Sequence, residues 1–77
     1  MTQKMLLEIN GEQREVAASR SLFGLIEELS LAPERLAVEL NGQVVRRADW
    51  QDTTLNDGDR VEIVHFVGGG RESDVRA

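Results

Sequence analysis

Two Asn-Gly dipeptides, Asn10-Gly11 and Asn41-Gly42, each lie between short alternating apolar segments, and they constrain this chain more than any other feature. A two-residue type I′ turn needs positive φ at both central positions, so each pair predicts a β-hairpin. Before the first, Met5, Leu7 and Ile9 share one face of a strand, with Leu6 and Glu8 on the other. After it, Arg14-Glu15-Val16 returns as a more polar strand, expected at a sheet edge. Before the second, Leu36, Val38 and Leu40 point one way, and Gln43 to Arg46 forms the return strand.

Between the hairpins, Leu22, Leu25, Ile26 and Leu29 fall on one face of an amphipathic helix. Ser21 is the expected N-cap, and Pro33 predicts that the helix has ended by about Ala32. Arg47 to Gln51 is polar around Trp50, which predicts a short turn or 3₁₀ segment with the indole as a lid on the core. Thr53-Thr54-Leu55 reads as a brief extended piece and Asn56-Asp57-Gly58-Asp59 as a tight turn before the last strand, Arg60 to Val67. The first and last strands are the most apolar, so they belong side by side in the middle of a sheet. Their parallel pairing requires the crossover that the helix supplies. The expected fold is α+β: a ubiquitin-like β-grasp with a mixed four- to five-stranded sheet and one main helix packed on one face, covering residues 1–67. Residues 68–77 are expected to form a flexible glycine arm and a polar tail.

Composition narrows the function. A chain of 77 residues has room for one small domain and none for a cleft between two. Its net charge of −5 opposes nucleic acid and suits a basic protein partner. Met1 to Ile9 carries no long apolar run, so neither a signal peptide nor a membrane span is expected. The absence of cysteine fits the cytoplasm and removes thiolate chemistry. His65 stands alone without the partners that a base or a metal site needs, Asn56 to Asp59 lacks the rest of a calcium loop, and no helix or Lys-Ser/Thr pair follows the glycines to make a phosphate loop. No catalytic residue, bound metal or bound cofactor is expected, and the free chain is expected to be a monomer.

Two features suggest work done by docking. With Val61 and Ile63 facing the helix, Glu62, Val64 and Phe66 face away. With Leu6 and Ala37 they form an apolar strip edged by Glu8, Glu39 and Glu62, the pattern of a partner-docking face. Beyond Val67, the run Gly68-Gly69-Gly70 is costly to order and has no side chains to pack. What it offers is access, because an extended glycine arm enters a narrow channel. Val67 to Gly70 spans about 10–14 Å when extended.

Together, Asn41-Gly42-Gln43-Val44-Val45-Arg46-Arg47, Trp50, Thr54, Leu55, Asp57-Gly58-Asp59, Val61-Glu62-Ile63-Val64 and Val67-Gly68-Gly69-Gly70 closely resemble the ThiS family, the sulfur carriers of thiamine biosynthesis. The likeness extends from Met5 to Gly70. It implies that the C-terminal glycine carboxylate is adenylated by an E1-like partner enzyme using ATP and Mg²⁺. A sulfur donor fed by a cysteine desulfurase then converts the adenylate to a thiocarboxylate, and thiazole synthase takes up the sulfur. Gly70, with Gly69 second, is the implied adenylation and thiocarboxylate site. The family's chains end at these glycines, whereas here Arg71 to Ala77 follow; either a protease removes this tail, in the manner of ubiquitin-like precursors, or the end is a variant that leaves this form inactive. Other readings of the same pattern are a carrier for molybdopterin or tRNA thiolation, a ubiquitin-like protein modifier, and a plain β-grasp binding module.

Overall fold

The computed structural model describes residues 3–18, 20–66 and 75–76. Strands β1 (Lys4–Ile9) and β2 (Glu12–Ala17) form the first hairpin, helix α1 (Leu22–Glu28) follows, and β3 (Leu36–Leu40) and β4 (Gln43–Val45) form the second hairpin. A 3₁₀ turn at Arg47–Asp52 leads to β5 (Arg60–Phe66), and a two-residue strand, β6 (Val75–Arg76), comes last. The sheet order is β2-β1-β5-β3-β4, with β6 paired to β5. β1 and β5 are parallel and central, and the other pairings are antiparallel. This is the β-grasp arrangement expected from the sequence, with β6 as an addition that the sequence did not suggest.

Both Asn-Gly pairs adopt the required conformation, with φ of 50° and 85° at Asn10 and Gly11 and 52° and 86° at Asn41 and Gly42. Each asparagine also does something a turn residue need not. The Asn10 side chain accepts from the Ile63 N–H at 2.7 Å and donates to the Ile63 carbonyl at 3.3 Å, extending the β1 ladder by one side chain. The Asn41 side chain accepts from the Arg60 N–H at 2.9 Å and donates to Asp59 Oδ1 at 3.0 Å. The two turns thus grip the central strand from its two sides.

Ser21 caps α1, its hydroxyl accepting from the Gly24 N–H at 3.0 Å. The helix is shorter than Pro33 suggests. It stops at Glu28 because Ser30 takes φ of 59° and closes a Schellman motif. In that motif Ser30 N–H donates to the Glu27 carbonyl and Leu31 N–H to the Ile26 carbonyl. Leu29 and Leu31 still pack against the core from outside the helix. Proline marks only where a helix cannot continue, whereas the cap decides where it ends.

The core lies between α1 and one face of the sheet: Met5, Leu7 and Ile9 from β1, Leu22, Leu25 and Ile26 from α1, Leu36 and Val38 from β3, and Val61 and Ile63 from β5. Trp50 is 1% exposed, and its indole N–H donates to the Val45 carbonyl at 2.9 Å, so it seals the core as expected. The extended piece around Leu55 is reduced to a single bridge between Thr54 and Ser21, which ties the start of α1 to this segment.

Candidate functional site

The face of the sheet away from α1 carries the residues singled out for docking. Alternation along β5 leaves Val64 and Phe66 half-buried and Glu62 exposed on that face. Register sets Val64 opposite Ala37, and Glu62 opposite Glu39, whose other neighbour is Val44 of β4. Val44 is 70% exposed, the most open large apolar side chain among the described residues. The sequence reading missed it. The signal was present: Val45 pairs with the buried Val38, so Val44 must face outward.

The structure divides the expected strip in two. Leu6 is 41% exposed, but its carbonyl accepts from the Gly58 N–H and its N–H donates to Asp57 Oδ1, at the start of β5. Val64 is six residues further along, roughly 20 Å away. Glu8, Arg60 and Glu62 lie between. Leu6 therefore belongs to the far end of the sheet. Val64, Phe66 and Ala37 lie near the end of β5 that leads to the glycines, while Val44 is level with Glu62, two strands across and beyond Glu39.

Glu39 and Glu62 are directly opposite each other on this face, an arrangement that destabilises a sheet through like-charge repulsion. A cationic partner would relieve it. The two ion pairs among the described residues, Lys4–Glu15 and Arg20–Glu28, involve neither carboxylate. Gly68, Gly69 and Gly70, the expected arm and acyl site, lie outside the described residues. Among the described residues, no group of three or more His, Cys, Asp or Glu side chains is placed to hold a metal ion. No described helix is long and apolar enough to cross a membrane.

Asp57-Gly58-Asp59, part of the family signature, has a structural task. Asp59 Oδ2 accepts from the Asn56 N–H at 2.8 Å, Gly58 takes φ of 88°, and Asp57 and Gly58 bind the backbone of Leu6. The turn sets the parallel register between β1 and β5, and with it which residues reach the end of β5.

The sequence profile of the ThiS family matches residues 7–70, so the match runs through the last glycine. The chain belongs to the ThiS family. The crystal structure of the thiamine biosynthesis protein ThiS from Geobacter metallireducens superposes with a TM-score of 0.76 at 42% identity, covering 86% of this chain and all of that one. The sulfur carrier protein ThiS of Escherichia coli is 27% identical over 66 residues, 86% of this chain and all of that protein. A thiazole synthase of Paramagnetospirillum magneticum is 41% identical over 68 residues. That match takes in 88% of this chain but 21% of the synthase, so the chain spans about a fifth of the length of this relative.

Proposed function

We propose that this chain is a sulfur carrier of thiamine biosynthesis, acting as a protein cosubstrate in the cytoplasm. The observation that carries this reading is the family match through Gly70, on a domain whose last central strand ends at Phe66, two positions before Gly68. Similarity to sulfur carriers and to part of a thiazole synthase supports it.

In this scheme Gly70 becomes the terminus after proteolysis of the tail, because an internal amide offers no free carboxylate. A Gly70 carboxylate oxygen attacks the α-phosphorus of ATP on an E1-like enzyme, and pyrophosphate leaves. A sulfur nucleophile fed by a cysteine desulfurase attacks the acyl carbon, and AMP leaves. The resulting thiocarboxylate gives its sulfur to thiazole synthase. ATP and Mg²⁺ are bound by the adenylating partner. The chain supplies a narrow arm and a docking face made by Val64, Phe66, Ala37 and Val44, with Glu39 and Glu62 as electrostatic guides.

The test is to incubate residues 1–70 with an adenylating enzyme, ATP and a sulfide source and to weigh the product. The expected mass gain is that of one oxygen replaced by sulfur. Gly69→Ala and Gly70→Ala are expected to abolish loading while leaving the thermal midpoint unchanged. Normal thiocarboxylate formation by both variants would refute the role given to the arm. A carrier for molybdopterin synthesis or tRNA thiolation would load in the same way but serve a different acceptor, and sulfur transfer to thiazole synthase separates the readings.

A further inference from the structure

β1 leaves part of β5 uncovered. The parallel ladder pairs Glu8 with Arg60 and Ile9 with Val61, and the Asn10 side chain then serves both backbone groups of Ile63. After Asn10 the chain turns away into β2. Backbone groups alternate in direction along a strand, so the N–H and C=O of Val61, Ile63 and His65 all face the β1 side. His65 is therefore the residue of β5 whose β1-side groups neither β1 nor Asn10 reaches. A groove of about 290 Å³ opens beside it, lined by Ile9, Arg14, Leu29, Leu31, Ile63 and His65. β6 occupies this edge, with Arg76 opposite His65 and Val75 opposite Phe66.

We propose that the open edge of β5 at His65 is a strand-addition site, and that its occupant in the full chain is the tail segment Val75–Arg76, which holds the glycine arm back from partners. With Val75 held opposite Phe66, the residues before and after the glycine-containing segment are fixed side by side, so Gly68 to Gly70 are not presented on a chain with a free far end. The contact spans only two residues, so it is readily undone by cleavage or by a competing strand. The arm's part in this proposal rests on the carrier reading above, whereas the strand pairing does not.

The two parts are tested separately in the full chain. By the same alternation, the Arg76 N–H faces His65 and the Val75 N–H faces away. Arg76→Pro therefore deletes a ladder donor, while Val75→Pro places the ring at a position where an edge strand tolerates it. Arg76→Pro is expected to speed amide exchange at His65 by about fivefold, the loss of one net hydrogen bond. Exchange at Ile63, held by Asn10, should stay unchanged, and Val75→Pro should leave His65 protected. Equal exchange at His65 in the full chain and in Arg76→Pro overturns the strand-addition site. Binding to the adenylating enzyme is then expected to be severalfold tighter for Arg76→Pro than for the full chain. Equal affinity overturns the holding-back. If the exchange result holds but no form binds the enzyme, the carrier reading fails and the strand site stands.

Discussion

The two faces of the central sheet use the same alternation for opposite purposes. On the inner face, Met5, Leu7, Ile9, Val38, Val61 and Ile63 are buried against α1, and every apolar side chain has a neighbour. On the outer face, Val64 and Phe66 are half-buried, Val44 is exposed and two glutamates face each other. The inner face is arranged for stability. The outer face gives up some stability, through like charges and uncovered apolar area, and it is the face proposed above for docking.

The largest expected effect breaks the inner face. Leu25 is fully buried, and Leu25→Ala is expected to lose about 2–5 kcal/mol in denaturant titration. A loss no larger than that of an outer-face truncation would dissolve the contrast. Next comes Asn10→Ala, which strands the N–H and C=O of Ile63 and is expected to lose about 1–3 kcal/mol. Asn10→Gly preserves the turn but not the side-chain bonds, so an equal loss there would identify the side chain as the cause. On the outer face, Val64→Ser and Phe66→Ser are expected to change stability by about 1 kcal/mol or less. Calorimetric titration of the adenylating enzyme should show at least about a tenfold drop in affinity for each. Leu6→Ser, roughly 20 Å away, should leave that affinity unchanged, and a matching drop would rejoin Leu6 to the patch. The smallest effect is a gain: Glu39→Gln or Glu62→Gln should stabilise the free domain by about 0.2–1 kcal/mol while slowing association with a basic partner surface. Slower association with no gain in stability would mean that the two carboxylates do not strain the sheet.

Much of the fold was legible because it rests on local rules. Asn-Gly requires positive φ, period-two alternation assigns faces, and Ser21 precedes a helical stripe, so strand order and core followed from residues read one neighbourhood at a time. The end of α1 was less legible, since Ser30 in a left-handed conformation is an uncommon cap that no glycine announced. The proposed docking patch was half legible. Alternation placed Val64 and Phe66 on the correct face, but membership of a patch depends on register between distant strands. Register put Leu6 beside Gly58 and Val44 across Glu39 from Glu62.

By itself, the sequence determined the two hairpins, the capped amphipathic helix, the apolar core and the glycines that follow the last strand, because each is encoded within a few residues. Only the tertiary structure decided which outer side chains adjoin, that Asn10 completes the β1 ladder on Ile63, and that His65 is left as an open edge which Arg76 fills. The reason is geometric. Spacing along a strand fixes the face on which a side chain lies, whereas position within that face is fixed by where the strands stop and how they are offset. In this domain that offset is set by hydrogen bonds between residues more than fifty positions apart.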